Sequence, residues 1–573
     1  MKILICNLAL RPNPETFPPV ACTALCNVLS KAGFDPVFYD IDAKRPSLSE
    51  LAEYFKKEKY NIVGISAVVS TGYKYTKNLS FLIKKYSPDT KIILGGNLAA
   101  AHNVILTKCQ IDICVVGEGE KVLVNLAKHY KEYGNFCSTN TKLRTIKGIV
   151  FKNELGESVF TGHETPILPH EIAQPDYDLL AKYSVISNYI FDPFTRIDFA
   201  CDERSYAKHR QGKMMATIFT SKGCINKCTF CHRWIKGYRI IPVANVIATI
   251  IHLVDKYNVG FFCISDECFG ESIVWLEEFI KQIKPLDVLF QVGGARVSII
   301  KDDPTIISRL KEAGLTALYF GMESGSDRIL KIMEKNASGT DNLYAARLCA
   351  DAGVFTIIQL VVGMPGENEQ TISETSAFVN AATEILPYPF PVSINYLQSL
   401  PGTPTYDFLR NHGLLGKTID EEERYLLAVS DTNASDFKHY KNVTEAQLSV
   451  VKTWTTKILY SSFVNWFKKH DWKFNGFNIT GAKDNKVASH TIASSMLMFT
   501  PKKIMFYRSI DLSGDIFWKI LIFKSKCGLY GFFRALALLV GIIKEGNDRS
   551  QYIIDSDSLK TIVEKQCNKI QNL

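Results

Sequence analysis

No run of apolar residues in this 573-residue chain reaches the roughly 18 to 20 in succession that a bilayer-spanning helix needs. The nearest stretch, Ile516 to Ile543, is broken by Lys519, Lys524, Lys526 and Arg534, so no spanning helix is expected there. Polybasic tails and low-complexity tracts are also absent. The net charge of +9, from 67 basic and 58 acidic residues, is spread thinly along the chain, and no nucleic-acid partner is expected. A disulfide framework is missing too. Most of the 15 cysteines stand singly in apolar runs, as Cys6 and Cys349 do, which fits a reducing compartment and predicts a cytoplasmic protein. The first residues offer no small-residue cleavage site after Lys2 and read as a first strand rather than a signal peptide.

Apolar residues at 46% and charged residues at 22% describe a globular chain, and its length predicts two or three domains. Residues 1–140 alternate strand-like runs (KILICNLAL, PVFYDI, NIVGISAVV, KIILGG, ICVVGEG) with helical segments such as CTALCNVLSKAG, which stops at Gly33. This predicts an α/β, flavodoxin-like (Rossmann-type) parallel sheet, with ligands at the C-terminal ends of its strands. Residues 141–209 read as a hairpin followed by an extended, Pro-containing connector. Over 210–412 a second series follows: ATIFTSKG, VGFFCISDE, VLFQVGGA, ALYFGMES, FTIIQLVVGMP and PVSINYLQ. About six (β/α) units predict a partial or full barrel. Residues 413–573 form a C-terminal region, mainly helical or α+β, as a candidate substrate-binding part.

The sharpest signal is TSKGCINKCTFCHRW, which spaces Cys224, Cys228 and Cys231 as C-x3-C-x2-C in a loop after a predicted strand. Soft thiolates select iron–sulfur clusters or zinc. A structural zinc site calls for a fourth ligand in a compact pair. The only nearby candidate is His232, which adjoins Cys231 and is poorly placed to close a tetrahedron. Cys263 and Cys268 have no matching pair and read as ordinary thiols.

With the aromatic Phe230 just before the last cysteine, this motif resembles that of the radical S-adenosylmethionine (SAM) superfamily. The resemblance implies a [4Fe-4S] cluster with one iron open to the amine and carboxylate of SAM. One-electron cleavage of SAM would then give a 5′-deoxyadenosyl radical. Phe230 would lie near the adenine, Asp266 and Glu267 in ISDECFG near the SAM amine, and Arg296 in GGARVS near its carboxylate. FGMESGSD resembles the ribose-contacting strand, pointing to Glu323 and Ser324. LVVGMPGENEQT resembles the adenine-side segment at Gly363, Pro365 and Gly366.

A flavodoxin-like domain ahead of such a barrel resembles the cobalamin-binding radical SAM family, which includes cobalamin-dependent methyltransferases. Ser66 in GISAVVSTGY, Gly95 and Gly96 in IILGGN, and Gly117, Glu118 and Gly119 in VVGEGE match its cobalamin motifs. The Asp-x-His-x-x-Gly motif is absent after the first strand, where RPNPETFPP holds no histidine, so the resemblance implies cobalamin without a histidine ligand to cobalt. A G-x-G-x-x-G dinucleotide fingerprint is missing there too. His102 reads as a helix-face residue rather than a cobalt ligand.

The resemblance covers roughly the first 410 residues, ending near Pro401, Gly402 and Thr403. Beyond it, residues 501–550 carry nine Lys or Arg against four Asp or Glu, interleaved with aromatic residues. Tyr530 to Ile543 can be read as an amphipathic segment in peripheral contact with a membrane, or as a buried helix with snorkelling lysines. The family implies cofactors [4Fe-4S], SAM and cobalamin, and an external electron donor such as flavodoxin or ferredoxin. It also implies a small-molecule, lipid or natural-product substrate. The leading expectation is methylation of an unactivated carbon through a 5′-deoxyadenosyl radical and methylcobalamin. The alternative is a cyclase or rearrangement enzyme without net methyl transfer. No general base is identifiable, and Tyr396 and Tyr406 are the only pocket residues suggested from the later strands.

Overall fold

A computed structural model describes residues 1–469 apart from 12, 69, 233–236, 388–391 and 430–439. The stretch Tyr530 to Ile543, and with it the membrane-contact reading, lies outside the described residues.

The first sheet is built from β1 (Ile3–Asn7), β2 (Pro36–Asp40), β3 (Ile62–Ser66), β4 (Lys91–Gly95) and β5 (Ile113–Val115). These run parallel in the order β2-β1-β3-β4-β5, the flavodoxin-like arrangement. The strands read as nearly continuous apolar runs because helices cover both faces. All five residues of β3, for example, are buried. The helix Val20–Lys31 ends with Gly33 at φ +81°, as the sequence suggests. The hairpin expected in the connector, β6 (Ile149–Lys152) and β7 (Ser158–Phe160), extends this same sheet antiparallel beyond β5.

A short hairpin, β9 (Ser221–Lys222) and β10 (Arg239–Ile240), follows β8 (Met214–Ile218) and brackets the three-cysteine loop. The remaining strands are β11 (Val259–Phe269), β12 (Leu289–Ala295), β13 (Leu315–Glu323), β14 (Ile358–Val362) and β15 (Val392–Tyr396). Together with β8 they form a six-stranded parallel sheet in the order β15-β14-β13-β12-β11-β8, a half-barrel. Phe262, Ile264, Phe290, Val292, Leu318 and Phe320 pack on the helix side of this sheet. The alternate positions face the concave side.

The connector caps the exposed edge of β8 with side chains that imitate a strand. Tyr177 Oη donates to Thr217 O at 2.7 Å and accepts from Thr217 N at 2.8 Å; the Gln174 amide bonds Phe219 O and N at 2.5 and 3.0 Å. The same segment holds the first sheet. Asn27 donates to Asp176 at 3.0 Å, and Asp40, at the end of β2, accepts from Ser184 and Tyr189 at 2.5 and 2.6 Å.

A polar layer sits among the concave-face residues of β11, β12 and β13. Asp198 is 1% exposed and is paired with Arg196 at 3.3 Å. The Gln291 amide, in the orientation that satisfies both neighbours, donates to Asp198 at 3.0 Å and accepts from Arg196 at 3.1 Å. After the barrel, the helices Pro404–Asn411 and Ile419–Val429 pack towards the first domain, where Glu423 accepts from Tyr73 at 2.6 Å. The helix Leu448–Lys469 lies along Glu369–Ile385, with Trp454 fully buried and donating to Glu369 at 2.6 Å. Among the described residues no helix is long and apolar enough to cross a membrane.

Asp198→Ala leaves the Arg196 charge without its carboxylate. It should cost about 3 kcal/mol in urea unfolding, the low end for a broken buried pair because Arg196 keeps part of its side chain exposed. An unchanged midpoint would contradict the role given to this layer.

Candidate active site between the two sheets

The C-terminal ends of β1, β3, β4 and β5 open onto a cavity of about 340 Å³. Ser66, Gly95, Gly96, Gly117, Glu118 and Gly119 all line it. The facing wall belongs to the barrel and includes Phe219, Ser221, Lys222, Ser265 and Glu267. Phe17 and Phe219 meet edge to face across this boundary, with ring centroids 5.6 Å apart. Phe17 and Val68 are each 45% exposed, a large apolar exposure explained by their position on the cavity wall.

The cavity suits a large flat cofactor with apolar faces. It also reaches between the sheet and the helix Val20–Lys31, where Val20, Ala21 and Ala24 leave room for a nucleotide tail. A Cβ on Gly95 would meet no atom within 4 Å and would project into open space. At Gly96, φ is +88° and a Cβ would fall 2.3 Å from Ala67 O, so only glycine lets the chain turn there. Cobalamin therefore fits these residues. His102 does not line the cavity; it begins a helix near Arg410 and Glu422, and burial lowers its pKa.

The cysteine loop is fastened to the turn after the helix Asp327–Ile332. Thr229 N donates to Met333 O at 3.0 Å, Thr229 Oγ1 to Ile332 O at 3.2 Å, and Asn226 Nδ2 to Lys335 O at 3.3 Å. Cys228 and Cys231 lie together, and Cys224 lies beside Cys268. Hydrogen bonding from Cys268, with help from Asn226 N–H and Arg296, holds the Cys224 thiol below its usual pKa against burial. Among the described residues no three ligand side chains converge as tightly as a single metal ion requires. A four-iron cube keeps its thiolates further apart than one ion does, and three soft donors on one loop are the donor set it takes. His232 is half-buried, its buried Nδ1 has no hydrogen-bond partner among the described residues, and desolvation lowers its pKa to about 4.

The residues matched to SAM divide by their surroundings. Asp266 and Glu267 are neighbours on β11 and so face opposite sides. Glu267 is exposed on the cavity wall. Asp266 is buried and accepts from Thr220 N at 2.8 Å and Ser221 Oγ at 2.9 Å, which fixes the strand end just before the cysteine loop. Arg296 lies 3.5 Å from Glu271, and its Nη1 is buried without a hydrogen-bond partner among the described residues. Glu323 has φ +61° and bonds Lys335 at 2.9 Å. Lys335 is also electrostatically coupled to Cys228 and Cys231. Ser324 is buried, accepting from Ser326 N at 3.1 Å and lying 3.1 Å from Thr375 Oγ1. Phe230 is half-buried, and Pro365 is buried.

Gly363, at φ +90°, is covered by Tyr440, whose hydroxyl donates to Gly363 O at 2.9 Å. Tyr396 and Tyr406 do not line the cavity; they are buried with their hydroxyls near Thr455 and Glu422, respectively. Lys222, Arg239, Glu271 and Lys335 were not identified from the sequence. Their importance comes from contacts with residues distant in the chain.

Gly95→Leu should weaken cobalamin binding at least about tenfold, ~1.4 kcal/mol, with the melting of the cofactor-free protein unchanged. Equal affinity in the variant would remove the cofactor from this wall. A second expectation concerns Glu367. Burial raises its carboxyl to about 8 although Gly363 N and Met364 N donate to it at 2.5 and 3.0 Å. The usual value is 4.5, so the folded state retains a proton that the unfolded state has released, and stability falls as pH rises between those values. Glu367→Gln should flatten that fall in melting temperature; parallel pH profiles for the two proteins would refute it.

Residues 218–379 match the Radical SAM superfamily and residues 12–127 match the B12 binding domain. The anaerobic magnesium-protoporphyrin IX monomethyl ester cyclase of Cereibacter sphaeroides is 30% identical over 63% of this chain and 56% of its own. That of Rubrivivax gelatinosus is 29% identical, with 61% of its length covered, so the chain spans little more than half of these relatives. An uncharacterised methyltransferase of Pyrococcus horikoshii is 25% identical over 72% of this chain and 85% of its own. In fold, the chain is similar to the radical SAM methyltransferase TsrM from Kitasatospora setae, solved with cobalamin and a [4Fe-4S] cluster (TM-score 0.55, 19% identity, 73% of this chain and 79% of that one). It is also similar to the cobalamin-dependent SAM radical enzyme OxsB (TM-score 0.60, 16% identity, 98% and 83%). The two matched domains, in this order and facing one cavity, place the chain in the family of cobalamin-binding radical SAM enzymes.

Proposed function

We infer that this enzyme methylates a carbon atom of a small-molecule substrate held between its two sheets. One observation carries the reading: a single cavity is lined both by the glycines of the first sheet and by Ser265 and Glu267 of the barrel. When bound, the cofactors supply the one-electron cleavage of SAM to a 5′-deoxyadenosyl radical and a carrier for the methyl group.

The chain's own residues position the reactants and exclude solvent. Cys224, Cys228 and Cys231 hold the cluster. Arg296, whose Nη1 makes no hydrogen bond among the described residues beyond its 3.5 Å ion pair with Glu271, serves the SAM carboxylate, and Glu267 the SAM amine from the cavity wall. Glu323, tied to Lys335, serves the ribose side, while Phe230 and the segment Gly363–Gly366 serve the adenine. Ser66, Gly95, Gly96, Gly117 and Gly119 bed the cobalamin, and Phe17 against Phe219 narrows the boundary between the domains. The positions of Asp266 and Ser324 give them supporting roles behind these contacts. The electron comes from an external donor of the flavodoxin or ferredoxin kind.

Methyl transfer is supported by coverage, since the methyltransferase relative aligns over 85% of its own length. The 30% identity to the cyclase favours a second reading, ring closure or rearrangement without methyl transfer. Anaerobic reconstitution with iron, sulfide and cobalamin, followed by product analysis, separates the two. Methyl transfer predicts S-adenosylhomocysteine together with 5′-deoxyadenosine; 5′-deoxyadenosine alone favours the second reading. Cys228→Ala should abolish 5′-deoxyadenosine, and persistent turnover without the cluster would rule out both.

A further inference from the structure

The cysteine motif follows directly on the first strand of the hairpin β9–β10, in which Lys222 stands directly opposite Arg239. Both cations reach across the domain boundary to one carboxylate. Arg239 grips Glu118 with both terminal nitrogens, one of them at 3.0 Å, and Lys222 Nζ lies 3.6 Å from it. Lys222 also bonds Glu120 at 2.8 Å. The connector closes the arrangement, since Ile167 N donates to Glu118 at 2.8 Å and Ile167 O accepts from Arg239 at 2.7 Å.

Glu118 is only 9% exposed, so its charge is sheltered from solvent screening and both cations count. Burial pushes its carboxyl upward, but Arg239, Lys222 and the Ile167 N–H together hold it below the usual carboxylate value. Glu118, Glu120 and Lys222 all line the cavity with Gly117 and Gly119. The residues that bed one cofactor are thus continuous with the anchor of the loop that holds the other.

We propose that Glu118 is a positioning residue that clamps the base of the cluster loop to the wall of the cobalamin pocket and thereby sets the geometry between the two cofactors. This rests on the functional reading above. It also changes what Glu118 does within the VVGEGE segment: its two oxygens are engaged by Arg239, Lys222 and Ile167. The clamp joins residues 121 apart in sequence and ties together three parts of the chain: the first sheet, the connector and the cluster hairpin.

The test uses the reconstituted holoenzyme, with Glu118→Gln as an isosteric loss of charge and Arg239→Lys as a loss of the fork with the charge kept. Exposed Glu53, paired with Lys56, supplies the control Glu53→Gln. Pulsed electron paramagnetic resonance reads the dipolar coupling between the cobalt(II) form of the cobalamin and the reduced cluster. Wild type and Glu53→Gln should give one narrow distribution. Glu118→Gln should still load both cofactors but give a broadened one, with substrate turnover reduced about 10- to 100-fold, as expected for displaced reacting groups. Arg239→Lys should fall between them. An unchanged distribution in Glu118→Gln, or loss of both cofactors from both variants, would overturn the clamp. A wild-type protein that takes up no cobalamin would instead overturn the functional reading beneath it.

Discussion

In a parallel sheet every strand delivers its C-terminal end to the same rim, and this chain sets two such rims against each other across one cavity. Neither rim could form a closed site alone. Around the cavity the ends of β3 and β4 offer glycines and Ser66 but no thiol or cation, whereas the barrel side offers Phe219, Ser221, Lys222, Ser265 and Glu267, with the cysteine motif beginning two residues after Lys222. The chemistry therefore depends on whatever holds the rims in register. Three sets of contacts do so: Asn27 with Asp176, Asp40 with Ser184 and Tyr189, and Glu118 with Arg239 and Lys222. The first two act through the connector, and the third acts directly on the loop that bears the thiols.

Much of this was legible in the sequence because parallel strands buried on both faces leave continuous apolar runs, and all five strands of the first domain and six of the barrel follow from them. The six residues matched to cobalamin also meet on one cavity, because glycine and serine at strand ends are local features. The adjacent pair Asp266 and Glu267 shows what family matching leaves out: the two-residue period of a strand turns one carboxylate to the cavity and the other to Thr220 and Ser221.

What could not be read depends on distance through space. Nothing around Arg239 announces a partner at Glu118, and Lys335 gains significance only because a turn after the helix Asp327–Ile332 brings it to Glu323 and the thiols. The hairpin within residues 141–209 is legible as a local pattern, but its pairing with β5 and the capping of the β8 edge by Tyr177 and Gln174 are not. Such functions are carried by single side chains and leave no periodic trace.

A cobalamin bedded on the first sheet and a cluster held by the cysteine loop of the barrel would stand on the two sides of the domain boundary. Anomalous diffraction from crystals of the anaerobically reconstituted enzyme, recorded at the iron and cobalt edges, tests it most directly. A cobalt peak is expected in the cavity between Gly95 and Glu267, and an iron peak against Cys224, Cys228 and Cys231. A cobalt peak outside that cavity, or iron bound away from those three thiols, would contradict it.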